Sequence, residues 1–236
     1  MQKAVVTGGA GFIGSHLVDE LIKQGVEVIV LDNLSTGKKE NINPKANFIK
    51  CDLSTVSEID LLYYVKGADV VFHLAAMARV QPSIEEPIPY HNTNVTGTHN
   101  LLIAAQKANV KRFIFSSSSS VYGNAKVPTS ETHLKNPMSP YALHKLMGEQ
   151  YCKLFSDLYD IDTVSLRYFN VYGYRMNLEG AYRLAIPIFA TQIKEGKPCT
   201  INNDGKQLRD FTFVDDVIEA NISTATSSKV FNGDVY

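Results

Sequence analysis

Cysteine is scarce in this chain, and nothing about its placement builds a disulfide framework. Cys51, Cys152 and Cys199 are odd in number and share no paired spacing, so they read as reduced thiols. Net charge is nearly absent too, at −1, which indicates neither a nucleic acid nor an anionic membrane as partner. No apolar run approaches the roughly 18 residues that a membrane span needs. Strand-like sequence begins by Ala4 and a glycine loop by Gly8, leaving no room for a signal peptide. The six histidines contain no H-E-x-x-H or comparable cluster, so no metal is expected. Internal repeats are missing, and the serine run Ser116–Ser120 is the one biased tract. These absences point to a cytoplasmic globular protein. Its 236 residues, 44% of them hydrophobic, suffice for one good core and a small second lobe.

What is present is an alternation of two patterns. Short β-rich runs occur at Lys3–Thr7, Val26–Leu31, Phe48–Lys50, Val70–Leu74, Arg112–Ser116 and Thr163–Tyr168. Most are continuously apolar, as expected of strands covered on both faces. Helical periodicity fills Phe12–Gln24, Thr98–Ala108 and Pro140 to about Tyr159. Strand–helix–strand units of this length require parallel pairing and right-handed crossovers, hence a doubly wound α/β sheet. After Val171 the pattern breaks up. Residues 1–170 are therefore expected to form the main domain, and 171–236 a partial second lobe interleaved with late elements of the first.

The first chemical motif is T-G-G-A-G-F-I-G, Thr7 to Gly14, placed between the first strand and the first helix. Gly8 permits a tight turn and Gly11 lets backbone approach a pyrophosphate. Gly14 permits close helix–strand packing, while the helix N-terminus supplies N–H donors and partial positive charge. Three glycines alone are weak evidence; the strand–loop–helix setting makes them a dinucleotide-binding signal. Asp32 ends the second strand 18 residues beyond Gly14, close to the ~20 expected of an acid that binds the adenosine ribose. Such an acid repels the additional phosphate of NADP and favours NAD.

The second motif is Tyr141-Ala-Leu-His-Lys145. Y-x-x-x-K is common enough to arise about once by chance in this composition, and the chain holds two. Tyr122-Gly-Asn-Ala-Lys126 contains Gly and runs into Val-Pro, so it is not helical. Tyr141 follows Ser139-Pro140, a cap and first-turn pair, and the helix sets Tyr141 and Lys145 one turn apart on one face. Leu143, Leu146, Met147, Leu154, Phe155 and Leu158 are read as its apolar stripe. The two polar residues lie about 200° from Leu143, away from that stripe. A free tyrosine is only about 0.1% ionised at pH 7, and roughly 4 kcal/mol of preference for phenolate brings its pKa near 7. A neighbouring ammonium and a cationic nicotinamide ring are suitable sources. Such a pair suits removal of a hydroxyl proton as hydride leaves the same carbon. The bland alternative is a solvated tyrosine–lysine pair. His73 reads as a packed histidine with a backbone partner, and Arg167 as half of a structural ion pair.

Taken together, the glycine loop, Asp32-Asn-Leu, Cys51-Asp52-Leu, Phe72-His-Leu-Ala-Ala, S-S-S-S-S-V-Y-G from Ser116 to Gly123 and Tyr141-x-x-x-Lys145 resemble the extended short-chain dehydrogenase/reductases. Leu166-Arg-Tyr-Phe-Asn-Val-Tyr-Gly173 and Gly205-Lys-Gln-Leu-Arg-Asp210 extend the likeness along nearly the whole chain. Within that family the nucleotide-sugar epimerases and dehydratases are the nearest group, the UDP-hexose 4-epimerases above all. The resemblance implies a Rossmann sheet with a small substrate lobe, NAD as cofactor, a UDP-sugar substrate and a homodimer. It implies Asp52 at the adenine and Ala75 and Ala76 lining the NAD site, with Phe12, Ile13, Asn33 and Leu53 beside them. Five serines are indistinguishable on physical grounds; the family keeps its catalytic Ser or Thr at Ser118, four residues before Tyr122. Asn170 and Arg209 are implied at the nucleotide diphosphate. Tyr174 departs from the pattern, since many relatives have proline there.

Two classes of function follow: a catalyst that oxidises and re-reduces a sugar hydroxyl, or a non-catalytic NAD-binding protein on the same fold. Presence of both Tyr141 and Lys145 favours the first. Ser119 and Ser120 favour epimerisation over dehydration or decarboxylation, because related dehydratases carry Asp-Glu at these positions and decarboxylases a Glu at the second. Phe231-Asn-Gly-Asp-Val-Tyr236 resembles the start of a late strand that in relatives leads into a C-terminal segment. The expectation is a chain that binds NAD well and UDP-sugars weakly. Asp32 generates the first prediction: calorimetry will show NAD binding more tightly than NADP, and equal or tighter NADP binding would contradict the reading of Asp32.

Overall fold

The computed structural model describes residues 1–176, 185–201 and 204–236. Six strands appear close to the expected positions: β1 (Lys3–Thr7), β2 (Glu27–Asp32), β3 (Asn47–Lys50), β4 (Val70–His73), β5 (Arg112–Ser118) and β6 (Asp162–Tyr168). Two short strands, β7 (Val171–Tyr172) and β8 (Thr212–Phe213), pair with each other in a separate parallel ribbon, and β9 (Asp234–Val235) returns to the main sheet. The main sheet runs β3-β2-β1-β4-β5-β6-β9 and is parallel at every pairing. Strand order reverses between β1 and β4, the arrangement of a doubly wound Rossmann sheet.

The helices are α1 (Phe12–Lys23), α2 (Glu58–Val65), α3 (Val80–Glu85), α4 (Pro87–His91), α5 (Gly97–Lys107), α6 (Pro140–Leu158), α7 (Ala185–Lys194) and α8 (Val214–Thr226). They cover the sheet on both faces. Leu61 of α2, Leu101 and Ala105 of α5, and Cys152 and Phe155 of α6 pack with Val5, Ile29, Val71 and Phe113 on one side. Leu17 and Leu21 of α1 and Val214, Val217 and Ile218 of α8 pack with Ala4, Val6, Val30 and Ile114 on the other. Successive strand residues thus enter opposite cores, which explains their unbroken apolar sequence. No described helix is long and apolar enough to cross a membrane.

Several features depart from expectation. The helix expected to start at Thr98 is the end of a longer rod, in which α4, a π-helical stretch at Asn92–Thr96 and α5 follow without a break. Helices α2 and α8 are additional; Ser57 caps the first by accepting from the Asp60 amide. The larger correction concerns α6, whose orientation is reversed from its apolar stripe. Leu143, Leu154 and Leu158 are 46%, 48% and 63% exposed, whereas Tyr141, His144, Lys145 and Glu149 face inward. Of the expected stripe residues only Phe155 is fully buried. Lys145 and Glu149 are tolerated there because the sheet supplies partners, which an apolar count over one helix does not register, whereas His144 packs on His91 of α4 with its Nδ1 unpaired.

The principal partner is Arg167 on β6. Its guanidinium donates from Nε and Nη2 to the two carboxylate oxygens of Glu149, at 2.8 and 2.6 Å. Nη1 donates to the Tyr122 hydroxyl and the Glu131 carbonyl, and Ser117 on β5 donates to Glu149. The expected structural ion pair at Arg167 therefore exists, and it pins α6 across β5 and β6. Desolvation offsets much of the attraction in such a pair, but loss of one partner strands a buried charge. Arg167→Met is expected to destabilise the protein by about 3–5 kcal/mol. The double variant Glu149→Leu/Arg167→Met should recover most of that loss, as read by urea unfolding.

Candidate active site

The carboxyl ends of β1, β2, β4, β5 and β6 surround a cavity of about 270 Å³. Its base is the turn between β1 and α1. Gly8 adopts φ +71°, and a Cβ there would lie 2.7 Å from the Ala75 nitrogen. A Cβ on Gly14 would lie 2.2 Å from the Gly8 carbonyl oxygen. Both contacts are with backbone, so neither can yield to a side chain. Gly11 ends the turn and caps α1 without any side-chain bond, leaving the first helical N–H groups to a ligand.

Asp32 closes the neighbouring wall. Its carboxylate accepts from the Ala10 amide at 3.0 Å and the Leu34 amide at 2.8 Å, tying the glycine loop to the loop after β2. Asn33 donates to Asp52 at 3.1 Å. Asp52 also accepts from the Ser54 hydroxyl and amide, and the Ser54 hydroxyl chiefly holds its carboxyl below the usual range. Cys51 lines the same wall, and burial pushes its thiol up to about 11, so it packs as an uncharged group.

At the other end stand Tyr141 and Lys145. Two serines fix the start of α6: Ser139 accepts from the Ala142 amide and Ser83 of α3 accepts from the Tyr141 amide. Gly148, one turn on from Lys145, lies so close to the Phe115 ring that a Cβ would sit 2.3 Å from it. That approach lets the Lys145 ammonium reach the Ser116 carbonyl at 2.7 Å, passing 4.9 Å from the Phe115 ring centroid. Burial brings Lys145 down to about 8, opposed by the charge of Glu149. The Tyr141 hydroxyl is hydrogen-bonded to Ser118; burial raises its pKa and that bond partly counteracts the rise. Lys145 Nζ is 6.0 Å from the Tyr141 ring centroid. A hydroxyl-bearing ligand carbon placed here meets a tyrosine backed by Ser118 and, beyond it, a buried ammonium.

The cavity gathers Gly8, Gly11, Phe12, Ile13, Gly14, Asp32, Asn33, Asp52, Leu53, Ala75, Ala76, Tyr141 and Lys145. Ser118 interacts with the Tyr141 hydroxyl but does not itself line the cavity. Asn170 and Arg209 do not line it. Asn170 donates to the Asp210 carbonyl, and Arg209 is exposed with Nη1 on the Leu208 carbonyl. Tyr168, Thr93 and Ser116 line the cavity without having been singled out. Tyr168 hydrogen-bonds Ser116 at 3.0 Å and Asn221 at 2.8 Å. Its position was available from topology, since β6 lies beside β5 and ligands in such sheets sit beyond the carboxyl ends of strands. His73 is buried as expected, but its partners are two threonine hydroxyls and not backbone.

With this geometry in view, comparison with known proteins is direct. A model of the NAD dependent epimerase/dehydratase family matches residues 4–236. The chain belongs to that family. The structure of a UDP-N-acetylglucosamine 4-epimerase from Methanobrevibacter ruminantium is 44% identical, with a TM-score of 0.93 over 99% of this chain and 75% of that one. A UDP-glucose 4-epimerase of Mycolicibacterium smegmatis is 41% identical over 93% of this chain and 72% of its own length. A UDP-N-acetyl-alpha-D-glucosaminuronate decarboxylase of Bacillus cytotoxicus is 39% identical over 99% of this chain and 74% of its own. The family uses NAD, and its members named here act on UDP-sugars.

Within this family site, Lys145 holds its proton against burial, and the cost has a pH signature. Its folded pKa is lowered to about 8 from 10.5. The unfolded chain therefore binds more protons between these values, and wild-type stability rises with pH across that window. Lys145→Met removes the term. Its stability relative to wild type will be greater at pH 7 than at pH 10, measured by urea unfolding of both proteins; an advantage independent of pH would contradict the burial of a charged lysine.

Proposed function

We propose that the protein interconverts UDP-hexoses at C4 through a transient 4-keto sugar, with Tyr141 as the proton-transfer group. The observation that carries this reading is the meeting of Tyr141 and Lys145, with Ser118 next to the Tyr141 hydroxyl, at one end of a cavity whose other end is a glycine cradle and Asp32. The cradle fits NAD. Backbone N–H groups at α1 are placed for a pyrophosphate, Asp32 retains acceptor capacity for ribose hydroxyls, and Asp52 with Leu53 forms an adenine wall. Asn170 and Arg209, on neighbouring loops outside this cavity, are assigned to the diphosphate of the sugar nucleotide.

NAD, when bound, would supply the hydride acceptor and the positive charge of its nicotinamide ring. The chain's part is proton transfer and positioning. Ser118 and Tyr141 hold the C4 hydroxyl, and the tyrosine takes its proton as the C4–H bond is broken. Burial alone keeps the tyrosine protonated, so phenolate forms only when positive charge is added at the cavity. Lys145, charged below about 8, contributes part of it. Inversion would be completed by re-reduction of the ketone from its opposite face, Tyr141 giving the proton back, and nothing would be consumed.

Dehydration and decarboxylation ask for more. Dehydration needs an additional acid to protonate a leaving hydroxyl, and both groups of relatives carry a Glu where this chain has Ser120. Ser119 and Ser120 form a 3₁₀ turn in which Ser120 donates to Ser118 from its amide and hydroxyl. Asp32 and Asp52 are the carboxylates in the described cavity lining, and both lie on the β2–β3 side. The exposed leucines of α6 support a homodimer as part of the same reading.

Tyr141→Phe is expected to reduce turnover by well over tenfold (~1.4 kcal/mol of barrier per decade) while NAD affinity is retained. Assay of a panel of UDP-sugars should show C4 interconversion in wild type. A stable 4-keto-6-deoxy sugar or a pentose product would overturn the assignment.

A further inference from the structure

Next to the cavity, four buried residues form one hydrogen-bonded path, passing through the Asn94 backbone, that the proposed chemistry does not use. Thr7, at the end of β1, accepts from the Ala75 amide at 3.2 Å and meets His73 Nδ1 at 2.7 Å. His73 Nε2 meets the Thr98 hydroxyl at 2.8 Å, and that hydroxyl donates to the Asn94 carbonyl at 2.7 Å. The Asn94 side chain then bonds the backbone of Met77 twice, accepting from N at 2.8 Å and donating to O at 3.0 Å. None of the four residues is more than 3% exposed. The path begins and ends on the same turn, Leu74–Met77, whose Ala75 and Ala76 line the cavity next to the glycine cradle.

Proton counting along this path leaves one arrangement. The single proton of Thr98 is committed to the Asn94 carbonyl, so Thr98 can only accept from His73, and Nε2 must carry hydrogen. Thr7 receives the Ala75 N–H, and its own proton needs an acceptor; Nδ1, 2.7 Å away, is placed to be that acceptor. An imidazolium would face Thr7 with a second donor and orphan the Thr7 hydroxyl at a buried position. Burial, aided by the positive charge of Lys145, also drives His73 down to about 3.

We propose that His73, as a neutral Nε2–H tautomer, is a positioning residue that sets the Leu74–Met77 turn against the glycine cradle by joining the end of β1 to the π-helical stretch before α5. The tolerance is small, because a Cβ on Gly8 would already stand 2.7 Å from the Ala75 nitrogen. A histidine present only for packing against Phe113 and Phe115 has no preferred tautomer and no need of Thr7.

The proposal rests on the preceding reading only where cofactor affinity is measured, and its test separates the two. Side-chain ¹⁵N spectra of the wild-type protein at neutral pH should show His73 protonated at Nε2 and bare at Nδ1. An Nδ1–H tautomer or an imidazolium overturns the proposal, whether or not any variant folds. Thr7→Val removes the hydroxyl and keeps the shape, whereas Thr7→Ser keeps the hydroxyl. Thr7→Val should speed amide exchange at Ala75 by at least about tenfold relative to amides of β5, and Thr7→Ser should stay within about threefold of wild type. NAD affinity by calorimetry should follow the same order, falling about tenfold in Thr7→Val and recovering in Thr7→Ser. Unchanged Ala75 exchange in a folded Thr7→Val protein overturns the proposal. If wild type itself fails to bind NAD, the functional reading falls, and the tautomer and exchange results still decide the role of His73.

Discussion

Parallel pairing of every strand in the main sheet is the constraint from which the rest follows. Parallel neighbours cannot be joined by hairpins, so each pair needs a crossover, and the helices of those crossovers must cover both faces. All strands then finish at the same edge. At the β1/β4 boundary the crossovers diverge and leave a gap between them. The glycine cradle ends β1, Asp32 ends β2, His73 ends β4, and Ser116–Ser118 end β5. Residues far apart in sequence become neighbours because they close adjacent parallel strands.

Helix α6 shows how chemistry and stability compete within that frame. It turns Tyr141, Lys145 and Glu149 inward and leaves leucines outside. Each inward polar group is matched by something the sheet offers: the Ser116 carbonyl, the Arg167 guanidinium, or the hydroxyls of Ser117 and Ser118. A more apolar inner face would hold the helix as well or better. It would hold no titratable group beside the cavity.

The legible parts of the molecule were those with short-range causes. Continuous apolar strands, the Thr7–Gly14 loop and the Ser139-Pro140 helix start are written in adjacent residues, and they appear where local rules place them. The facing of α6 was not legible, because it depends on partners from β5 and β6 that are distant in sequence. The bonding of His73 was missed for the same reason, since its two threonines lie 66 and 25 residues away. Ser118 could be selected from its serine run only by resemblance. Its bond to Tyr141 is a product of the fold. Tyr168 lay within reach of topology but carried no local motif.

The two backbone bonds of Asp32 carry a consequence for how such a protein changes its cofactor in evolution. The carboxylate that we assign to the ribose also fastens the Ala10 and Leu34 amides. On that assignment, selectivity and loop architecture are encoded by one side chain. A lineage drifting toward a phosphorylated cofactor cannot simply trade this acid for a neutral or basic residue, because two amides would lose their acceptor at the same step. Compensating changes in the loop must come first or arrive together, and that makes the preference for the unphosphorylated cofactor an inherited commitment of the scaffold.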